Sequence, residues 1–248
     1  MGKANMHRAD VHEHETRRLT RVLVISKGKA GEVEKLLMEK GFEVVEVAPD
    51  FVVCYGGDGT ILFAERKFPQ IPKLIIKRLN VCRKCDYMTK DVDRVLQKIR
   101  NEEFKIQKKM KLVAEFKKRK LVGLNEIQVH NRLPIYAVRF SVTVDGKELD
   151  NLIGDGVIVA TPFGSTGYYR STGGEKFEKG IGVSFNNLHN KRIKSFVASE
   201  DSTVTIKVTR GPAWLMADNN ENFLELKSKD VLTVKKSEST ANIIYVPH

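Results

Sequence analysis

Residues 50–65, DFVVCYGGDGTILFAE, leave the chain few architectures to choose from. The unbroken apolar run Phe51 to Tyr55 reads as a strand buried on both faces. Three glycines around one aspartate follow, Gly56-Gly57-Asp58-Gly59, and TILFAERKF then reads as the first turns of a helix. A doubly buried strand feeding a helix through a glycine turn belongs to a parallel sheet, whose crossovers are helical and cover both faces. The flanks agree with this. RVLVIS (21–26), KAGEVEKLLMEKG (29–41), FEVVEVA (42–48), IPKLIIK (71–77) and TKDVDRVLQKIRN (89–101) spell strand, helix, strand, strand and helix. The expected fold is therefore an α/β lobe with a doubly wound parallel sheet. In such sheets ligands bind beyond the carboxyl ends of the strands, which is where Asp58 falls.

After residue 101 the grammar changes. Residues 104–130, 135–152 and 190 onward alternate strand-like runs with turns, and VDGK at 144–147 is a strong hairpin signal. The expected organisation is a polar tail over 1–20, an α/β lobe over 21–101, a β-rich lobe over 102–235 and a C-terminal segment over 236–248. The tail carries His7, His12 and His14 and is expected to be mobile.

The chain has 248 residues, 41% of them hydrophobic and 30% charged, the balance of a folded domain and not of a disordered one. No apolar run approaches the ~18–20 residues that cross a membrane, and the N-terminus lacks a signal-like apolar stretch. A cytoplasmic location and no membrane partner are expected. Cys54, Cys82 and Cys85 make an odd count, and the lone C-x-x-C has no second pair, so idle thiols are expected in place of a metal or redox centre. Lysine and arginine exceed the acids by 12. That excess suits an anionic partner, but no RNA- or DNA-binding motif accompanies it, so no specific nucleic acid is expected. Much of it lies in residues 105–120, where a lysine-rich edge hairpin explains it.

Glycines at a strand-to-helix turn let backbone amides approach phosphate, and the helix N-terminus adds positive potential. An acid there would repel phosphates unless it holds a metal or receives a proton. A second stretch, GDGVIVATPFGSTGYYRSTGG at 154–174, ends a buried strand in a small-residue turn. Ser165 and Thr166 offer hydroxyls, Tyr168 a stacking face, and Asp155 an acceptor for a sugar hydroxyl. The set suits a nucleoside. His130, His189, Trp214 and Tyr169 are expected to be structural.

The order and spacing of Asp58 in GGDGT, Asn125-Glu126 in GLNEIQV and DGVIVATPFGSTGY resemble NAD kinases, over about residues 21–235. The resemblance implies transfer of the γ-phosphoryl of ATP, with Mg²⁺ or another divalent cation, to the 2′-hydroxyl of the adenosine ribose of NAD. It implies Asp58 as proton acceptor, with Gly56, Gly57, Gly59 and Thr60 meeting phosphate and ribose. Asn125 and Glu126 would bind the dinucleotide, Asp155 would hydrogen-bond it, and Thr161, Ser165, Thr166, Gly167, Tyr168 and Ser171 would line its base and ribose. Asp218, in ADNN where the family has DGQ, is carried over as a further binding residue. No protein-held metal is implied, and the family's usual homodimer or homotetramer is. GGDGT alone is shared in close variants with diacylglycerol and sphingosine kinases and phosphofructokinases, so a lipid or sugar kinase stays open. So does a non-catalytic dinucleotide binder, because the family's Gly-Ile-Asn-x-Gly-x-Leu-Gly-Phe-Leu is replaced by IIKRLNVCRKCDYM. At least one of Lys77, Arg78, Arg83 and Lys84 in that stretch is expected to contact donor phosphates.

Overall fold

The computed structural model describes residues 19–78, 84, 87–189 and 192–247. The tail through residue 18 with its three histidines, Arg83, and both cysteines of the C-x-x-C lie outside the described residues. The first half runs β1 (Arg21–Ser26), α1 (Gly31–Glu39), β2 (Glu43–Val44), β3 (Phe51–Gly56), α2 (Asp58–Lys67), β4 (Lys73–Lys77), β5 (Tyr87–Met88) and α3 (Val92–Arg100). Its strands pair in parallel in the order β2-β1-β3-β4-β5.

Alternation along the strands divides their side chains between two cores. Phe51, Val53, Tyr55, Leu74 and Ile76 pack with Val33 and Leu37 of α1 and with Val95, Leu96 and Ile99 of α3. Val52, Cys54 and Ile75 point the other way, onto Ile61, Leu62 and Ala64 of α2. Helices on both faces explain why these strands read as continuous apolar runs. FEVVEVA forms only the two-residue β2. Val47 is exposed and Ala48 turns with φ 48°, so the chain leaves the sheet edge where no further strand covers it.

The second half runs β6 (Lys105–Phe116), β7 (Arg119–Gly123), β8 (Glu126–Asn131), β9 (Val138–Val144), β10 (Lys147–Gly154), β11 (Gly156–Ala160), α4 (Tyr168–Ser171), β12 (Ile181–Asn186), β13 (Phe196–Ala198), β14 (Val204–Arg210), β15 (Ala213–Ala217), β16 (Leu224–Leu226) and β17 (Val231–Tyr245). The β9–β10 turn has positive φ at Asp145 and Gly146, 49° and 82°, the dihedral signature of a two-residue hairpin. The lysine-rich segment is the hairpin β6–β7, and among the described residues β7 pairs with β6 alone.

Strand β17 ties the halves together. It lies parallel to β4 through Ile243↔Lys73 and antiparallel to β6 and β14, so one eleven-stranded sheet crosses the molecule. A second, six-stranded sheet, β13-β12-β11-β8-β15-β16, packs onto the far part of the first. Phe140, Val142, Val157, Val159, Ile206 and Leu215 fill the space between them. The α/β lobe and the β-rich lobe are thus both present, joined by the last strand.

A buried ion cluster reinforces the join. The Lys73 and Lys111 ammonium groups, from β4 and β6, each donate to one carboxylate oxygen of Glu65 on α2, and all three side chains are buried. Lys73 also donates to the Phe68 carbonyl at 2.7 Å. Burial pushes the neighbouring Cys54 thiol up to about 12, so it stays an unreactive thiol.

Candidate functional site

The chain leaves β1 toward β2 on one side and returns to β3 on the other, which makes the crevice beyond Ser26 and Tyr55 the topological switch point. The Asp58 turn sits there. Gly57 is extended, with φ −114° and ψ −169°, and Asp58 opens α2. Gly56 has no room for a side chain, because a Cβ would lie 2.3 Å from the Thr60 hydroxyl. On the outer side of the turn is a cavity of about 320 Å³ lined by Ser26, Lys27, Gly59, Arg66 and Asn219. The Asn219 amide donates to the Gly59 carbonyl at 3.1 Å and accepts from Arg66 at 2.9 Å, fixing the β-rich lobe to the start of α2.

On the inner side stands Lys84, its side chain only 4% exposed. Its Nζ lies 3.4 Å from Asp58 Oδ2, donates to Asn125 Oδ1 and sits 4.7 Å from the Phe163 ring centroid. Burial pulls the Lys84 pKa down, against the pull of Asp58 and Glu126. Beyond it a cavity of about 480 Å³ extends past Phe163 and Thr166 to β6 and β17.

Asn125 and Glu126 are held from below. Asp218, at φ 48°, accepts backbone N–H bonds from Leu124, Asn125 and Glu126 at 2.7, 2.7 and 3.1 Å. Burial nonetheless raises the Asp218 carboxyl. Burial also pushes Glu126 from its ordinary 4.5 to about 8, with the Asp218 charge adding to the shift. Folded Glu126 therefore keeps its proton where the unfolded chain has lost it, and stability falls as pH rises from about 4.5 to about 8. Glu126→Gln is expected to leave the melting temperature unchanged near pH 4.5 and to raise it above wild type at pH 8–9. A gain of the same size at both pH values would remove the buried carboxyl as its cause.

The strand register explains why the second motif meets the first. Ala160, the last residue of β11, pairs with Glu126, the first of β8, so TPFGST folds over Asn125-Glu126. The Thr161 hydroxyl donates to the Leu124 carbonyl at 2.6 Å and accepts from the Gly164 N–H at 2.9 Å. Gly164 is required, because a Cβ there would lie 2.0 Å from the Asn125 carbonyl oxygen. Ser165 is buried and donates to the Pro162 carbonyl at 2.7 Å. A Cβ on Gly167 would face Glu126 Oε2 at 3.3 Å, so the two motifs touch there as well. Among the described residues, Glu126 Oε2 and Thr166 Oγ1 are buried without a hydrogen-bond partner. Tyr168 is exposed, Tyr169 is buried beneath it, and Ser171 bonds back to the Tyr168 carbonyl at 2.8 Å.

Asp155 stands apart. It precedes β11, a strand's length from Thr161, and its carboxylate accepts from Asn131 at 3.1 Å and Asn187 at 2.7 Å. Of the four loop cations, Lys77 ends β4 and is half-buried, and Arg78 is exposed with its guanidinium beside Gly28. Arg83 lies outside the described residues, and of the three described cations Lys84 is the one that enters the Asp58 site. Sequence reasoning did not find Asn219 or the burial of Lys84. The first carries no motif, and the second is one of four cations expected at donor phosphates, with no local signal that marks it as buried. Among the described residues no group of three or more His, Cys, Asp or Glu side chains is placed to hold a metal, and no helix is long and apolar enough to cross a membrane.

Comparison with known proteins agrees with this geometry. Residues 124–246 match the ATP-NAD kinase C-terminal domain family. The NAD kinase of Thermoplasma volcanium is 31% identical over 223 residues, covering 86% of this chain and 80% of that protein. The NAD kinase of Thermoplasma acidophilum is 28% identical over 218 residues, with the same coverage. Among solved structures, an NAD kinase from Archaeoglobus fulgidus in complex with ATP superposes with a TM-score of 0.79 at 25% identity, covering 90% of this chain and 93% of that one. Yeast NADH kinase complexed with NADH shares the fold, with a TM-score of 0.79 at 19% identity over 94% of this chain and 85% of that one. With the Asp58 turn, the Asn125-Glu126 pair and the Thr161–Tyr168 segment assembled in one crevice, the chain belongs to the NAD kinase family.

Proposed function

We propose that this NAD kinase moves the γ-phosphoryl of ATP onto the 2′-hydroxyl of the adenosine ribose of NAD, and that Asp58 takes the hydroxyl proton. The observation that carries the reading is that two of the buried polar atoms without a hydrogen-bond partner among the described residues, Glu126 Oε2 and Thr166 Oγ1, lie on the two motifs that meet beside Lys84 and Asp58. Buried polar groups are almost always satisfied, so a site that leaves two open is built for a polar ligand. The acceptor adenosine lies on that side, against Thr166, Gly167 and Tyr168, with Asn125 and Glu126 on its hydroxyls. Glu126, carrying its proton at neutral pH, donates one hydrogen bond and accepts another.

The donor phosphates lie on the other side of the turn, where Gly59, Thr60 and the α2 N-terminus meet Lys27 and Arg66. A divalent cation such as magnesium would come as part of the donor and would neutralise charge there. In phosphoryl transfer the protein mainly positions the groups and neutralises charge, and a crevice with one substrate on each face of Asp58 does the first. Thr161, Ser165, Ser171 and Asp218 spend their polar atoms on the turns themselves and act by shaping the site. Asp155 lies too far along β11 to reach the Asp58 side of the same nucleoside, and serves the more distant part of the dinucleotide. The exposed Leu133, Ile135 and Tyr136 on the β8–β9 loop offer an apolar surface for a homodimer or homotetramer.

Thr166→Val is expected to raise the NAD dissociation constant about tenfold, since one buried hydrogen bond is worth ~1–1.5 kcal/mol. Equal affinity by calorimetry counts against this placement. The transfer site itself is tested with an NAD analogue lacking the adenosine 2′-hydroxyl. It should bind and stay unphosphorylated, and phosphorylation of the analogue would move the acceptor elsewhere.

A further inference from the structure

Lys84 brings a buried ammonium group into the reaction centre, against Asp58, Asn125 and the Phe163 ring. Its Nζ is 3.4 Å from Asp58 Oδ2 and bonded to Asn125 Oδ1. A base must lie ~2.6–3.2 Å from the hydroxyl it serves, which puts the ammonium within roughly 7 Å of an acceptor oxygen served by Asp58 Oδ2. The phosphoryl group that arrives on that oxygen extends its own oxygens further toward the ammonium. We propose that the Lys84 ammonium contacts the transferred phosphoryl and holds it, as the new 2′-phosphate, in the product.

The charges support the assignment. Before transfer Lys84 is paired with the Asp58 carboxylate. During transfer a bond forms between the 2′-oxygen and the γ-phosphorus, and the bond from that phosphorus to the β,γ-bridging oxygen breaks. The hydroxyl proton passes to Asp58, and ADP leaves with the bridging oxygen. Protonation of Asp58 removes the anion that held Lys84 at the moment when a phosphate appears beside it. The ammonium keeps its three protons and changes partner. Lys84 is thereby a catalytic residue that favours the charge distribution formed late in the reaction.

The inference rests on the acceptor reading above, and its test separates the two. Calorimetry with NAD and with NADP is run on the wild type, on Lys84→Met, which removes the charge, and on Lys84→Arg, which keeps it. Lys84→Met is expected to bind NADP about 10- to 100-fold more weakly, the usual range for a charge-assisted hydrogen bond, and NAD within threefold of wild type. Lys84→Arg should retain the NADP affinity. Parallel losses for both dinucleotides, or NADP affinity unchanged in Lys84→Met, overturn the assignment, and wild-type protein that binds neither dinucleotide overturns the acceptor reading with it. A readout on the unmodified protein guards against a variant that fails to fold. Phosphorus NMR titration of bound NADP should show the 2′-phosphate staying dianionic below its ordinary second pKa of about 6. A bound value at or above that of free NADP also overturns the proposal.

Discussion

Asp58→Asn is expected to lower kcat by roughly 10²- to 10⁴-fold, the usual contribution of one positioned base, while the NAD dissociation constant changes little. The substitution keeps size and hydrogen-bonding capacity at the first residue of α2 but removes the group that accepts the proton. The surrounding turn is fixed independently of that side chain. Gly56 is required by the Thr60 hydroxyl against it, and Asn219 holds the Gly59 carbonyl from the other lobe. A loss of kcat with intact binding is therefore the signature of chemistry and not of collapse. An Asn variant that turns over at the wild-type rate would remove Asp58 from the mechanism.

Glu65→Leu is expected to destabilise the fold by ~3–5 kcal/mol, because it leaves two buried ammonium groups, Lys73 and Lys111, without their shared carboxylate. For a domain of this size that corresponds to a drop in melting temperature of roughly 6–20 °C. The effect reaches function because Glu65 and Asp58 sit on the same helix, and Lys111 comes from β6. The cluster therefore sets how α2 meets the β-rich half. A melting temperature within 2 °C of wild type would show that the lysines find other partners or lose their charge.

Much of the α/β half was legible because its signals are local. The run Phe51 to Tyr55 had to be buried on both faces, and α1 and α3 on one side and α2 on the other do bury it. Asp145-Gly146 fixed a hairpin by backbone conformation alone. The partner of β17 was not legible, because strand-like alternation says nothing about which strand lies alongside. The chain's last strand returns beside β4 and β6, far away in sequence. At the site, glycines and hydroxyls marked the two turns, yet most of those hydroxyls build the turns themselves, as with Thr161 and Ser165. Spacing cannot separate a residue that shapes a turn from one that touches a ligand. The burial of Lys84 escaped for a related reason. It depends on Asp58, Asn125 and Phe163, three residues brought together only by the fold.

The decisive question is where the phosphate goes. Incubation of the purified protein with ATP, Mg²⁺ and NAD, followed by an NADP-specific dehydrogenase, reads formation of the 2′-phosphorylated product directly. Continuous NADP production is expected, requiring all three components and reduced at least a hundredfold by Asp58→Asn. A folded protein that binds NAD and ATP yet forms no NADP would contradict the proposed transfer.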